Sequence, residues 1–356
     1  MIQPLEYVRI IQPYVPGKPI EELERELGIK DSIKLASNEN PIGPSPEAIK
    51  AVSSSFADIN RYPDGGGYYL KQVLSEMLSV SEDELILGNG SNELLDIAVR
   101  TFMTDGDEAV MATPSFVVYL MAVQAVGGKA IQLPLKNFAH DLDAMADAIT
   151  PKTRIIFIAN PNNPTGIINK KNEFDRMMGK ISDDILVVVD EAYYEYVTDP
   201  DYADSMKYLK GRRNILILRT FSKIYGLAGL RIGYGIAKKN ILNEMNRIRE
   251  PFNTNTIAQK AALAALKDRN HIKKSQETNE AGKKYLYKEL NSMSITFVPT
   301  EANFIYIPVE DSKSVYERLL RLGIIIRPMG PKAVRVTIGL PDENKRFIEA
   351  LKKAIS

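Results

Sequence analysis

Three short stretches hold residue types that could do chemistry together. Lys223 follows the apolar run ILILRT and precedes GLAGLRIGYG, a small-residue segment with little surface character. A lysine amine that is buried near other cations gives up its proton more easily and can then bond a carbonyl carbon as a Schiff base. Arg231, eight residues on, supplies such a cation and also suits a phosphate. Taken alone, Lys223 reads equally as one of many solvated surface charges. Asp190 ends the run ILVVVD, and a carboxylate there costs free energy unless it is paired. A pyridinium nitrogen would pair with it, and so would a helix N-terminus or an internal salt bridge. Gly88-Asn89-Gly90-Ser91-Asn92 opens a helix-like stretch, where exposed N–H groups and the helix dipole favour an anion. An ordinary turn with Ser91 as N-cap fits the same residues. The third glycine of G-x-G-x-x-G is missing and no G-K-[ST] follows, so neither a dinucleotide fingerprint nor a Walker loop is present. Phe116 could stack on a flat ring or sit in the core.

The elements that position these residues follow from the apolar pattern. From about residue 84, the runs ELILG, EAVMA, RIIFIA, ILVVVD and ILILRT alternate with longer helix-like stretches. Short runs rich in Val and Ile read as parallel strands covered on both faces, hence a layered α/β domain. Ligands bind outside the carboxyl ends of such strands. The groups following the five runs, including TPSF and NPNNPTG, then converge on one crevice.

Before this region, residues 1–30 read as an arm holding QPYVPGKP and the amphipathic IEELEREL, followed by a turn-rich loop and a helix over 46–56 with Pro46 in its first turn. After about residue 250, TIAQKAALAALKD reads as a helix leading into a smaller α/β unit: strand ANFIYI, helix SVYERLLRL, strands GIIIR and AVRVTIG, and helix DENKRFIEALKKAI. In the last helix Phe347, Ile348, Leu351, Ala354 and Ile355 fall on one face. The division expected is an arm over 1–30, a large domain over 31–255 and a small domain over 256–356.

Composition narrows the function classes. The 356 residues carry 46 basic and 45 acidic side chains, a balance unlike that of an electrostatic nucleic-acid or membrane-surface binder. There is no cysteine, and His140 and His271 stand in no metal-ligand spacing, so no metal site is expected. No run approaches the ~20 apolar residues of a membrane span, and MIQPLEYVRI does not read as a signal peptide, so a cytoplasmic location is expected.

Three motifs together resemble the fold-type I aminotransferases, the aspartate-aminotransferase-like superfamily: N-P-T-G at 163–166, D-x-x-Y from Asp190 to Tyr193, and T-x-S-K-x-x-G-L-A-G-L-R at 220–231. The resemblance covers nearly the whole chain. It implies pyridoxal 5'-phosphate (PLP) as cofactor and a large α/β/α domain with a mostly parallel seven-stranded sheet, plus the smaller C-terminal domain. It implies that Lys223 is the Schiff-base lysine and proton shuttle, that Asp190 pairs with the pyridinium nitrogen, and that Asn163 and Tyr193 donate to the ring's phenolic oxygen. Phe116 would stack on the ring, and Ser91, Asn92, Thr220, Ser222 and Arg231 would form the phosphate cup. Tyr62, in N-R-Y-P-D, resembles a tyrosine that reaches the neighbouring subunit's cofactor, which implies a homodimer with shared active sites. Within the superfamily, P-Y-x-P-G-K (13–18), L-A-S-N-E-N-P-I-G-P-S-P (35–46), R-Y-P-D-G (61–65), E-A-N-F (301–304), I-I-R-P-M (325–329) and V-R-V-T-I-G (334–339) are most similar to the histidinol-phosphate aminotransferase family. That likeness implies histidinol phosphate and glutamate/2-oxoglutarate as substrates, with Tyr14, Asn40, Arg327 and Arg335 on the substrate side.

Rival expectations are transamination of phenylalanine or tyrosine, and decarboxylation of a phosphorylated amino acid by the same cofactor. A regulatory protein that keeps the fold but not the chemistry is disfavoured by the presence of Lys223 and the lack of a spare basic domain. A nicotinamide dehydrogenase is disfavoured by the missing dinucleotide fingerprint.

Overall fold

The computed structural model describes residues 2–211 and 213–355. Twelve strands occur among them: β1 Ile33–Lys34, β2 Leu85–Gly88, β3 Glu108–Thr113, β4 Lys129–Pro134, β5 Thr153–Ala159, β6 Leu186–Asp190, β7 Ile215–Thr220, β8 Gly233–Ala237, β9 Phe304–Pro308, β10 Ile324–Ile325, β11 Arg327–Pro328 and β12 Ala333–Thr337. Seven form the main sheet, in the order β2-β8-β7-β6-β5-β3-β4. Neighbours from β7 to β4 pair in parallel. Only β8 is reversed, pairing antiparallel with both β7 and β2. The carboxyl ends of the other six strands therefore share one edge, as the run endings require.

Five of the seven are the apolar runs. The two others lack that signature for physical reasons. β4 closes the sheet at its edge and is nowhere fully buried, so its sequence, KAIQLP, is mixed. β8 is GYGIA, and glycine is depleted in strands. Gly233 is nonetheless required there: a Cβ would lie 2.6 Å from the Ser91 amide nitrogen.

Both faces of the sheet are covered, which is why its inner parallel strands read as continuous apolar runs rather than alternating ones. Along β5, Ile155, Phe157 and Ala159 pack toward the helices Ser91–Phe102, Val118–Ala125 and Lys239–Ile248. Ile156 and Ile158 pack to the other side, with the helices Leu142–Asp147, Lys171–Lys180 and Thr256–Lys267. The helix Thr256–Lys267 thus belongs to the core under the main sheet.

The C-terminal part has its own core, in which Leu286 and Leu290 of the long helix Arg269–Ser292 meet β9, β12 and the helix Pro341–Ile355. Ile33 and Leu35 join this core. The run GIIIR is not one strand. Ile324–Ile325 pairs in parallel with β1, whereas Arg327–Pro328 pairs antiparallel with β12. Pro328 lacks an N–H and sits on the edge strand of that three-stranded sheet, where such a residue is tolerated. In the last helix Phe347, Ile348, Leu351 and Ala354 are buried as the periodicity requires, but Ile355 is exposed, because the helix end reaches past the core. Ala350 and Asn344 complete the buried face.

Candidate active site

The carboxyl edge of the main sheet opens into a cavity of about 240 Å³. Lining it are Ser91, Asn92, Phe116, Asn163, Asp190, Tyr193, Thr220, Ser222, Lys223 and Arg231, together with Tyr14, Arg327 and Arg335. Thirteen of the fifteen residues singled out from sequence therefore meet in one place.

Lys223 follows β7 and donates from Nζ to the Ser37 carbonyl at 3.0 Å. Burial pulls its pKa down to about 7, and the nearby Arg335 and Arg231 push the same way, while Glu39 and Asp190 oppose them. An amine near neutrality can act as nucleophile, base and acid without a large proton penalty. Asp190 ends β6, buried. Burial raises its pKa above the ordinary carboxylate range, and the Tyr119 hydroxyl, the Ala192 N–H and Lys223 work against that rise. Tyr119 Oη donates to Asp190 Oδ2 at 2.7 Å and the Ala192 amide to Oδ1 at 3.2 Å. A structural salt bridge, the alternative for this residue, is absent from the ion pairs of the described residues; the nearby ion pair is instead Arg219 with Glu191, 2.8 Å apart.

The anion end lies at the start of the helix Ser91–Phe102. Its N-cap is Gly90, at φ 76°, and no side chain caps the helix. Ser91 is the first helical residue rather than the cap. A Cβ on Gly90 would overlap the Arg231 guanidinium, so glycine there both takes the left-handed backbone and leaves room for the cation. Arg231 Nη1 donates to Ser222 Oγ at 3.3 Å and to the Ala228 carbonyl at 3.1 Å. The Ser222 amide donates to Thr220 Oγ1 at 3.1 Å. One cation, two hydroxyls and a helix N-terminus are the donors that a phosphate would need.

On the far side, Arg335 Nη1 donates to Asn163 Oδ1 at 2.5 Å and Nη2 to the Ala36 carbonyl at 2.7 Å. Its Nε is buried without a partner. Arg327 Nη2 donates to the Val15 carbonyl at 2.6 Å, and its guanidinium lies 5.4 Å from the centre of the Tyr14 ring, which ties the N-terminal arm to the cavity mouth. Tyr193 Oη accepts from Asn38 Nδ2 at 2.8 Å. The 160–169 loop that presents Asn163 is fixed from behind: Asn162 Oδ1 meets Ser115 Oγ and His140 Nε2, each at 3.0 Å. Burial lowers the His140 pKa to about 4, so the ring is a neutral structural part.

Two residues singled out from sequence are not brought in. Asn40 donates to the Ile224 carbonyl at 2.7 Å and to Ser275 Oγ at 2.9 Å, and accepts from the Ile42 amide at 3.0 Å; its amide is spent on holding the loop, not on the cavity. Tyr62 is 82% exposed and stacks on Phe252 at 4.7 Å, away from the cavity. Conversely Ser37, Asn38, Glu39 and Tyr119 line the cavity without having been singled out. Tyr119 sits in the apolar stretch VVYLMAVQA, where it reads as core, and Asn38 is hidden in a loop dense in turn formers.

The donor set fits a phosphorylated pyridine aldehyde. An amine and a carboxylate face one cavity, with a cation, hydroxyls and a helix N-terminus at one end and a buried arginine with a free donor at the other. Comparison with known proteins agrees. Residues 30–351 match the family model described as aminotransferase class I and II. The chain is 51% identical over 357 residues to a histidinol-phosphate aminotransferase of Moorella thermoacetica, covering 99% of this chain and 92% of that protein. It is 45% identical to the histidinol-phosphate aminotransferase of Caldicellulosiruptor saccharolyticus, covering 98% and 99% respectively. The crystal structure of histidinol-phosphate aminotransferase from Sinorhizobium meliloti, in complex with pyridoxal-5'-phosphate, superposes with a TM-score of 0.92 at 26% identity, covering 100% of this chain and 98% of that one. A lysine and an aspartate at the edge of this sheet, and relatives alike over their full length, place the chain in the class I and II aminotransferase family.

Proposed function

We propose that the chain is a PLP-dependent histidinol-phosphate aminotransferase. It converts imidazole-acetol phosphate and glutamate to histidinol phosphate and 2-oxoglutarate in histidine biosynthesis. The observation that carries the reading is the convergence of Lys223, Asp190 and the Arg231 cup on one cavity. When bound, PLP supplies an aldehyde carbon that exchanges amino groups and a ring that stabilises negative charge at the carbon losing its proton. Lys223 is the amine that holds the cofactor. When released, it takes the substrate's α-proton and returns it one carbon away, and a pKa of about 7 suits both acts. Asp190 would pair with the protonated ring nitrogen, and Asn163 and Tyr193 would donate to the ring's phenolic oxygen. Arg231, Ser222, Thr220, Ser91 and Asn92 grip the phosphate.

Glutamate offers a carboxylate where histidinol phosphate offers a phosphate ester. An arginine fork accepts either bidentately, which is the part proposed for Arg335 with Arg327 beside it. Tyr14, half-exposed and already in contact with Arg327, closes the mouth over the substrate. Full-length relatives bearing that activity support the choice of substrate over an aromatic amino acid. The discriminating experiment is kcat/KM for histidinol phosphate against phenylalanine; a preference for phenylalanine rejects the assignment.

A homodimer with shared active sites is proposed as well. Tyr62 is exposed and stacks on Phe252, and Phe56, Ile59, Tyr68 and Tyr69 from the same stretch of chain are exposed too, apolar side chains that a second copy would cover. No helix among the described residues is long and apolar enough to cross a membrane, and a cytoplasmic location, without nucleic-acid or membrane partners, is part of the proposal. The three-part division belongs to it too, except that the helix Thr256–Lys267, expected beyond the break at 255, goes with the large part because it packs in the core under the main sheet.

A further inference from the structure

Asp190 is held by a group that has no part in the reaction as described so far. Tyr119 lies in the first turn of the helix Val118–Ala125 and is 1% exposed. Its ring stacks on Phe157 of β5, with centroids 4.9 Å apart and planes 5° from parallel. Phe116 meets it edge-on at 5.6 Å and 83°. Packed from two directions, the ring cannot swing, so the hydroxyl is fixed where it donates to Asp190 Oδ2 at 2.7 Å. The same phenol thus braces the side chain expected on the cofactor's face and the carboxylate expected at its nitrogen.

We propose that Tyr119 is a positioning residue: its hydroxyl keeps Asp190 ionised and aimed, so that the proton shared with the cofactor stays on the ring nitrogen. The inference rests on the cofactor reading given above. A carboxylate has about four acceptor sites. Tyr119 takes one on Oδ2 and the Ala192 amide one on Oδ1, which leaves places for a ring N–H while both oxygens are pinned. Burial acts against the ionised form of Asp190, and among the groups that oppose burial Tyr119 acts most strongly. Of the other charged or titratable neighbours, Lys223 favours the carboxylate and Glu191 disfavours it, although Arg219 pairs with Glu191 at 2.8 Å. Tyr193 is a buried phenol, held neutral. Tyr119 itself keeps its proton, because burial and the Asp190 charge push its pKa well above the ordinary range. It is therefore a permanent donor toward Asp190.

The test uses the full chain with three side chains at position 119: tyrosine, phenylalanine (Tyr119→Phe) and 3-fluorotyrosine, a stronger donor of nearly the same shape. In cofactor-free protein, infrared titration of the Asp190 carboxyl, assigned by its loss in Asp190→Asn, gives the midpoint. Tyr119→Phe is expected to raise it by about one pH unit or more, and 3-fluorotyrosine to lower it. In holoenzyme carrying PLP labelled with nitrogen-15 in the ring, Tyr119→Phe is expected to move the ring resonance toward that of unprotonated pyridine at fixed pH. An unmoved midpoint in both variants and an unmoved resonance, with only the melting temperature changed, would reduce Tyr119 to packing and overturn the proposal. A wild-type chain that takes up no PLP would instead defeat the cofactor reading; the cofactor-free titration decides the part of Tyr119 by itself.

Discussion

Arg327 and Arg335 are directly opposed across the β11–β12 pair, and both line the cavity that holds Lys223. Like charges in that relation repel. The repulsion is sharpened by burial, which with Arg327 makes Arg335 easier to deprotonate than an ordinary arginine. An anion between the two relieves it, and the unpartnered Nε of Arg335 is a donor in waiting. Arg335→Ala should therefore lower kcat/KM for glutamate and for histidinol phosphate alike, by about 10- to 150-fold, the equivalent of the 1.5–3 kcal/mol typical of hydrogen bonds to charged groups. Arg335→Lys should recover only part of the loss, since a point charge cannot replace the fork. Steady-state kinetics with both substrates check this, and an effect confined to one substrate would assign Arg335 a narrower role.

Gly90 gives a prediction about the phosphate cup. Gly90→Ala forces a side chain into a left-handed position and onto the Arg231 guanidinium. The variant should bind PLP more weakly by at least tenfold, while its affinity for pyridoxal, which lacks the phosphate, should hardly change. Titration of cofactor-free protein with each ligand measures both. Equal losses for the two would place the damage outside the cup.

Lys223 gives a pH dependence. Its ordinary pKa would be 10.5; in the folded chain it is about 7. A lowered lysine pKa makes the neutral, nucleophilic amine available above about pH 7 instead of only in strong alkali. The rate at which cofactor-free protein captures PLP should rise with pH and level off above about 7, followed by the internal-imine absorbance. Lys223→Ala should show neither the band nor turnover. A capture rate still climbing toward pH 10 would mean the amine is not desolvated as described.

The route from sequence to site was direct where chemistry coincides with strand ends. Asp190, Thr220 and Lys223 could be placed because β6 and β7 are apolar runs that stop abruptly at them. Tyr119 could not, because a tyrosine in an apolar helix looks the same whether its hydroxyl meets a carboxylate or water. The facing of Arg327 and Arg335 was equally hidden: GIIIR reads as one strand, and only the switch of partner between Ile325 and Arg327 sets the register. Asn40 shows the reverse. The motif around it is legible, but which of its polar side chains turn inward depends on Ile224 and Ser275, far away in sequence.

Tyr62 yields a prediction about assembly. It lies outside the cavity of its own chain. If it serves a neighbour's site, Tyr62→Phe should weaken PLP binding several-fold without changing the fold. Mixing this variant with Lys223→Ala subunits should form hybrids in which one site type keeps both groups. Sedimentation measures the dimer, and cofactor titration of the mixture measures the complementation. A monomer of full activity would remove Tyr62 from the site.

The most direct measurement is a half-reaction. Histidinol phosphate is added to purified enzyme loaded with PLP, with no oxo acid present, and the spectrum is followed as the cofactor changes form. The account predicts stoichiometric conversion to pyridoxamine phosphate with release of imidazole-acetol phosphate, faster than with phenylalanine at equal concentration. No conversion, or conversion slower than with phenylalanine, would contradict it.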